Sequence, residues 1–169
     1  MTQDYLSKRE KLALTIGVVE QGHHYIKGFG KLSDTVSAIP NAGKIYEIAS
    51  VTKLFTGTVL AKLVNDGTVD LHAPIRLYLP LEVINQVNPA VQSITLQQLA
   101  THTSRLPSLP DSFLEEIQYP SNPYLDYTAP EMYADLAEIT LLSEPGQSYE
   151  YSNFGMGLLG RDRLLKPLL

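Results

Sequence analysis

The amino-acid sequence predicts an α+β fold in which N-terminal antiparallel strands precede a mainly helical block. A run rich in Leu, Thr, Ile and Val and a second short run lie within the first 30 residues, and helix start and stop signals recur from residue 50 onward. The length of 169 residues suits one domain. We therefore expect a single domain over 1–169, with strands and a loop over 10–49 and helices over 50–160.

The first element predicted is a β-hairpin. Leu12–Glu20 is rich in Leu, Thr, Ile and Val, and Tyr25–Gly30 is a second short run that follows the polar turn Gln21-Gly22-His23. Lys31–Lys44 contains Ser, Asp, Pro, Asn and Gly without helical or alternating period, which is typical of a connecting loop.

A central helix is predicted to begin near Ser50 and to run to about Asp66, with Gly67 as its C-terminal stop. Its apolar residues cover a wide arc, so we expect most sides of this helix to be buried. The residues predicted to be buried are Val51, Leu54, Phe55, Val59, Leu60, Leu63 and Val64.

Two capping patterns predict further helices. Thr95 precedes a helix over Leu96–Ala100, and Thr128 with Glu131 forms a capping-box pattern ahead of Met132–Leu142. The helix over Met132–Leu142 has Pro130 in its first turn, a favoured place for proline.

The remaining segments are predicted as loops with two helices among them. Val69–Pro80 is irregular, and 106–129 is a long Pro- and Tyr-rich loop with one short helix around Ser112–Ile117. Glu144-Pro145-Gly146-Gln147 is a turn, and the Gly-rich apolar segment Phe154–Gly160 is predicted to be a buried helix.

Composition and charge exclude several classes of function. A formal charge of -5 without a long Lys/Arg cluster argues against nucleic acid as a partner. The absence of Cys excludes disulfides and thiolate catalysis, and the four His show no spacing typical of a metal site, so no metal or cofactor is expected. His102 is interpreted as a structural hydrogen-bonding residue. No stretch approaches the roughly 20 apolar residues of a membrane span.

Ser50 and Lys53 are the first candidates for catalysis. The two side chains are three residues apart at the start of a helix, so they lie on one face and can touch. A serine hydroxyl needs a base to accept its proton, and burial beside Leu54, Phe55 and Leu60 would make the lysine a better base. The backbone N–H of Ser50 would also point to where an oxyanion forms. The alternative is a helix N-cap followed by a solvated lysine.

Tyr151 and Asn153 are the second candidates. A phenol and an amide two positions apart in a turn can both face one cleft. A phenolate stabilised by Lys53 would serve as general base, and the Asn153 amide would hold a substrate carbonyl or the lysine. The alternative is a packed tyrosine ring followed by an asparagine that caps the next helix.

Four segments in this order resemble the superfamily of serine β-lactamases and penicillin-binding proteins, in its branch of class C β-lactamases, D,D-peptidases and esterases. The segment Tyr46–Phe55, which contains Ser50-Val51-Thr52-Lys53, is similar to the nucleophile segment of that family. Asp66–Leu71 resembles the turn after the nucleophile helix, and Thr95–Ser104 the following helix and loop. The segment from Glu144 to Gly155, which contains Tyr151-Ser152-Asn153, is similar to the second catalytic motif.

The resemblance implies a serine hydrolase that forms an acyl-enzyme on a β-lactam, a D-amino peptide or a small ester. Ser50 would be the nucleophile, Lys53 its proton partner, Tyr151 the acid or base, and Asn153 a substrate-binding amide. Arg105 departs from the pattern, because a Gly commonly follows Thr-Ser there and a non-Gly residue resists positive φ.

A third motif of the family, Lys or His followed by Ser/Thr and Gly on a later strand, has no match after Leu159. The sequence is therefore expected to form a truncated fold that lacks the C-terminal strands. An alternative to the hydrolase is a catalytically incompetent fragment, or a ligand-binding or interaction module that retains part of the site.

Partners and localisation are expectations of the same kind. Besides a small acyl substrate, the expected partner is a second copy of the chain, through an unfinished sheet edge, or a complementing C-terminal half. Met1–Arg9 is polar and Leu12–Val19 is short, so no signal peptide is expected and the chain as it stands would be cytoplasmic, although the family is often exported.

Overall fold

The computed structural model describes residues 13–115, 119, 122–141 and 143–161. These residues belong to two compact units that divide between residues 48 and 49, and each unit is described by itself. The predicted α+β class is confirmed, because an antiparallel strand pair precedes a series of helices. The single domain over 1–169 stays a prediction.

The first unit contains the predicted hairpin. Strands β1 (Ala13–Glu20) and β2 (His23–Gly30) pair antiparallel, with Ala13 opposite Gly30 and Glu20 opposite His23. The turn is only Gln21-Gly22, and both residues have positive φ, 50° and 81°. A two-residue turn with positive φ at both positions matches the twist of a hairpin, which is why His23 lies in β2 and not in the turn.

The second unit contains, among the described residues, seven α-helices and two 3₁₀ turns. The helices are α1 Thr52–Asn65, α2 Leu81–Ile84, α3 Pro89–Gln92, α4 Leu96–Ala100, α5 Asp111–Glu115, α6 Ala129–Glu138 and α7 Asn153–Leu159. The 3₁₀ turns are Ala49–Val51, directly before α1, and Ile75–Leu77. None of the helices in this part of the chain has the length and apolar character that a bilayer crossing requires.

Side-chain caps define the starts of several helices. Thr95 and Gln98 form the predicted capping box of α4, with the Thr95 hydroxyl accepting from Gln98 N at 3.2 Å and Gln98 Oε1 accepting from Thr95 N at 2.9 Å. At α6, the Glu131 carboxylate accepts a bond from Thr128 N at 2.6 Å, as the predicted pattern requires. That backbone bond lowers the pKa of Glu131.

The core of the second unit lies between α1, α4, α6, α7 and the segments that join them. Its members are buried aliphatic and aromatic residues, with Ile94, Leu96, Leu106, Leu136 and Leu159 fully buried. Glycines permit close packing around α7: a Cβ on Gly155 would come within 3.1 Å of Ser152 Oγ, and one on Gly157 within 3.2 Å of Met132 Cε.

The prediction that α1 is buried on most sides is wrong for its first turns. Val51, Leu54 and Phe55 are 53%, 70% and 63% exposed, whereas Leu60 and Leu63 are buried. The reason is that the core formed by the described residues packs against the C-terminal part of this helix. A wide apolar arc does not by itself establish burial, because burial depends on what other elements cover it.

Other predicted boundaries shift. α6 ends at Glu138, before the predicted Leu142, because Ile139 is extended, with ψ 128°; Leu142 itself lies outside the described residues. α5 ends at Glu115, and 116–118 likewise lie outside. The segment predicted to be irregular, Val69–Pro80, contains a 3₁₀ turn whose Ile75 is fully buried.

Candidate active site

Ser50 lies in the 3₁₀ turn Ala49–Val51 that leads into α1. The preceding residue, Ala49, has φ 46°, a left-handed conformation that costs a residue with a Cβ on the order of 1–2 kcal/mol. Ser50 is exposed, and the N-cap of α1 is Val51, without a side-chain cap hydrogen bond. The alternative interpretation of Ser50 as a helix cap is therefore wrong, and its hydroxyl is available for other contacts.

Lys53 extends from the first turn of α1 toward Ser50. Its Nζ donates to Ser50 Oγ at 3.2 Å and to Asn153 Oδ1 at 2.7 Å, and it lies 4.9 Å from the centroid of the Tyr151 ring. The lysine is half-buried. The exposed Leu54 and Phe55 do not enclose it, contrary to the prediction, and its surroundings come from the segment that carries Tyr151 and Asn153.

Tyr151 completes the cluster from a position 101 residues away in the sequence. Its hydroxyl is 2.7 Å from Ser50 Oγ. Hydrogen bonding with Lys53, and next the bond to Ser50, lowers the pKa of the Tyr151 phenol, because both interactions favour the phenolate. The structure thus brings all four predicted residues, Ser50, Lys53, Tyr151 and Asn153, into one hydrogen-bonded group.

The segment before α7 is held in place by Ser152. This buried residue is the N-cap of α7: its Oγ accepts from Gly155 N at 2.8 Å and donates to Pro107 O at 2.6 Å. The N–H groups of Asn153 and Phe154 both donate to Ser108 O at 3.0 Å. Ser152 is therefore the cap that the alternative interpretation gave to Asn153, and the Asn153 amide is free to contact Lys53.

His102 lies against Tyr151. The two rings are 4.5 Å apart between centroids at 31°, and His102 Nδ1 accepts from Ser152 N at 3.1 Å. Its carbonyl accepts from Glu150 N at 2.7 Å. Burial, and then the positive charge of Lys53, lower the pKa of His102. The sequence predicted a hydrogen-bonding role, which the structure shows, but not the contact with Tyr151.

Arg105 has φ 64°, so this position adopts the positive φ that a glycine would favour. Its side chain is 13% exposed and reaches Glu150, with 3.6 Å between Nη1 and Oε2. Within the described residues, Arg105 Nε is buried without a hydrogen-bond partner. The Arg105–Glu150 pair joins the loop after α4 to the segment before α7, and His102 joins the same two segments.

A cavity of about 720 Å³ opens beside Ser50. Its polar wall includes Ser50, Lys53 and Asn153, and its apolar wall includes Tyr127 and Met156. The other lining residues are Ala49, Thr52, Thr56, Tyr124, Met132, Gly157, Gly160 and Arg161. A concave site of this size suits a small molecule.

Tyr127 fixes one wall of this cavity. Its hydroxyl donates to Asp135 on α6, which also accepts from Ser112 on α5, and its ring lies 5.1 Å from that of Phe113. Burial, followed by the bond to Asp135, raises the pKa of Tyr127 far above its ordinary value. Tyr127 thus remains a neutral phenol that anchors the long loop onto two helices.

The sequence did not predict the roles of Ser152, Tyr127 or the left-handed Ala49. Their partners lie on other segments, and local composition carries no signal for such contacts. No group of three or more acidic or histidine side chains that could hold a metal ion occurs within the part of the chain that the structure describes.

Comparison with known proteins identifies the family of this chain. The family model for Beta-lactamase matches residues 2–161. Protein flp of Staphylococcus aureus is 33% identical over 149 residues, which cover 86% of this chain and 28% of that protein. The D-alanyl-D-alanine-carboxypeptidase/endopeptidase AmpH of Escherichia coli is 29% identical over 147 residues, covering 86% and 37%.

A solved structure is similar over nearly the whole chain. The β-lactamase/D-alanine carboxypeptidase from Yersinia pestis, crystallised with citrate, matches with a TM-score of 0.77 and 27% identity over 93% of this chain and 44% of that one. The chain thus spans less than half the length of each of these three proteins. Since the family model covers nearly all of the sequence, the chain belongs to the Beta-lactamase family.

Proposed function

We propose that this chain is a serine hydrolase that forms an acyl-enzyme on Ser50, with a β-lactam, a D-amino peptide or a small ester as substrate. One observation carries the proposal: Ser50 Oγ is in hydrogen-bond contact with both the Tyr151 hydroxyl and Lys53 Nζ. A nucleophile within hydrogen-bond reach of a phenol whose pKa is lowered, and of a lysine ammonium that favours the phenolate, is an arrangement that suits acyl transfer.

Each step of the reaction has a group for its proton. Ser50 Oγ would bond to the carbonyl carbon while its proton passes to the Tyr151 phenolate, 2.7 Å away. The C–N bond of a lactam or peptide, or the C–O bond of an ester, would then break, and Tyr151 would return the proton to the leaving atom. Water would next attack the acyl carbon and give its proton to the Tyr151 phenolate, and Tyr151 would return that proton to Ser50 Oγ as the bond between Oγ and the acyl carbon breaks.

Lys53 and Asn153 would prepare this chemistry. The Lys53 ammonium favours the phenolate of Tyr151, and Asn153 Oδ1 holds that ammonium at 2.7 Å. The Asn153 amide nitrogen would donate a hydrogen bond to a carbonyl of the substrate, and the backbone N–H of Ser50 would stabilise the oxyanion.

The cavity favours a particular shape of substrate. Tyr124, Tyr127, Met132 and Met156 give it apolar walls next to the polar wall at Ser50. A substrate would therefore place its carbonyl at Ser50 and an apolar acyl side chain against the tyrosines.

The intact mass of the protein after incubation with a penicillin tests the proposal. An adduct equal to the mass of the penicillin is expected in the wild-type chain and in Ser143→Ala, an exposed serine that does not line the cavity, but not in Ser50→Ala. Incubation with a D-alanyl-D-alanine peptide or a p-nitrophenyl ester, followed by product analysis, distinguishes the substrate classes. A folded wild-type sample without any adduct or product would contradict the hydrolase.

A non-catalytic ligand-binding module is the second candidate. It is favoured by the exposure of Val51, Leu54 and Phe55 beside the site, which leaves the nucleophile open to solvent. Calorimetric binding of penicillin to both the wild-type chain and Ser50→Ala, with no adduct in either, would support this module in place of the hydrolase.

For a protein partner, we propose a second copy of the chain. Both strands of the hairpin are edge strands in the described part of the first unit, and Val18, Val19, Tyr25 and Ile26 are at least half exposed. Such an edge favours pairing with another strand. Sedimentation is expected to show a dimer. A monomer that associates only with the C-terminal portion of Protein flp would instead support a complementing half.

A further inference from the structure

His102 makes three contacts with the segment that carries Tyr151. Its carbonyl accepts from Glu150 N, its Nδ1 accepts from Ser152 N, and its ring packs on the Tyr151 ring. These contacts reach the residue before Tyr151, the residue after it and Tyr151 itself. Since the Tyr151 hydroxyl meets Ser50 at 2.7 Å, any shift of this segment changes that distance.

The backbone of His102 adopts a left-handed conformation. It has φ 58°, where Asn, Asp and His are enriched among non-Gly residues, and it directly follows the last turn of α4. This conformation turns the imidazole and its carbonyl toward the same neighbouring segment. A left-handed residue at one side of a site is a sign of imposed geometry.

The bond from Ser152 N determines the charge state of the imidazole. A backbone N–H donates, so Nδ1 must carry a lone pair, and the proton of the neutral ring lies on Nε2. Protonation would place a second donor at Nδ1, facing the Ser152 N–H. It would also add positive charge beneath Tyr151 and near Lys53, so the bond would be lost.

We propose that neutral His102 is a positioning residue that holds the Tyr151 hydroxyl at Ser50, and that its protonation switches the site off at acidic pH. The inference rests on the proposed function only for its catalytic consequence, since the contact between His102 and Tyr151 exists without turnover. His102 is not among the residues that line the cavity, and its ring packs on Tyr151, so it acts through Tyr151.

The groups around the His102 ring favour its neutral form. Lys53 of α1 is the nearby cation, Tyr149 packs edge-on at 5.8 Å, Tyr151 packs on the face, and the Arg105–Glu150 pair joins the same segments. Burial and Lys53 lower the pKa of His102 below 6.5. The positioned site is therefore complete at neutral pH and is lost as pH falls through that lowered value.

Two substitutions test separately the hydrogen-bond acceptor and the aromatic ring of His102. His102→Asn retains an acceptor oxygen near the place of Nδ1, tolerates positive φ and does not titrate. His102→Phe retains a ring against Tyr151 without an acceptor. His72→Asn, at an exposed loop position, is the matched control. Circular dichroism at each pH establishes folding, and if His102→Phe does not fold, the wild-type protein and His102→Asn are sufficient.

Side-chain NMR tests the contact without activity. At pH 8 we expect His102 as the Nε2–H tautomer, and we expect the Tyr151 Cζ shift to change at the pH where His102 titrates. That change should vanish in His102→Asn and persist in His72→Asn. An Nδ1–H tautomer, or a Tyr151 Cζ shift that does not change as His102 titrates, would overturn the positioning role.

Penicillin acylation rates then test the switch. Between pH 8 and 5 we expect the wild-type rate, divided by that of His102→Asn, to fall with the His102 titration, since the division cancels any pH dependence that the two proteins share. At pH 8, His102→Phe should be slower by about 2- to 10-fold, the effect of one hydrogen bond. A flat ratio would overturn the switch. If no variant is acylated, the proposed function fails, and the NMR result alone decides the positioning role.

Discussion

The two ends of helix α1 (Thr52–Asn65) serve different purposes. At its start, Lys53 contacts Ser50 and Asn153, and Leu54 and Phe55 are largely exposed. At its end, Leu60 and Leu63 are buried in the core. One continuous helix thus places chemical groups at a surface by fixing its other end in the interior. We expect substitutions at its start to change activity and those at its end to change stability.

The largest effect is expected for Lys53, one of the two lysines of α1. Lys53→Ala should slow acylation by about 10²–10⁴-fold, the range for loss of a group that moves or orients a proton. Lys62→Ala is the matched control, because Lys62 is exposed near the other end and forms an ion pair with Asp66, at 2.7 Å. Time-resolved mass spectrometry of the acyl adduct measures both. Equal rates for the two variants would contradict the division of α1 into two ends.

For two leucines of α1, the substitution near the end of the helix is expected to have the larger effect, and that effect is on stability. Leu63→Ala should lower the free energy of unfolding by about 2–5 kcal/mol, because it leaves a cavity in the core. Leu54→Ala, at a position 70% exposed, should stay within about 0.5 kcal/mol. Urea denaturation followed by circular dichroism provides the comparison. A large loss for Leu54→Ala would show that another surface covers the start of α1 in solution.

The smallest effect concerns the loop that follows α4. Arg105→Gly should raise the free energy of unfolding by up to about 1 kcal/mol, because it relieves a left-handed residue at φ 64° and loses only a partly exposed ion pair. Arg76→Gly, at a position without positive φ, should instead be destabilising by roughly 0.5–1 kcal/mol. Destabilisation by Arg105→Gly beyond that of the control would show that the Glu150 pair outweighs the strain.

Elements with strong local signals were predicted well. The hairpin, the capping box of α4 and the helix α7 follow from turn residues, caps and apolar period over a few neighbouring residues. The four-residue helices α2 and α3 were missed, because a single turn is too short to show a period. The burial of α1 was overestimated, because exposure depends on the elements that pack against the helix.

The candidate site shows the same division. The sequence alone predicted that Ser50 and Lys53 can meet, because a spacing of three residues at the start of a helix brings side chains to one face. It also marked Tyr151 and Asn153 as a pair, and the ordered motifs identified the family. Their contact with Lys53 was an expectation whose geometry required the tertiary structure, since 100 residues separate Asn153 from Lys53.

Only the tertiary structure decided that His102 packs on Tyr151, that Ala49 and Arg105 adopt positive φ, and that the start of α1 is exposed. The physical reason is that local propensity reflects interactions among near neighbours in the chain. Strained backbone and ring contacts arise instead from the packing of distant segments, whose combined contacts outweigh the preference of each residue.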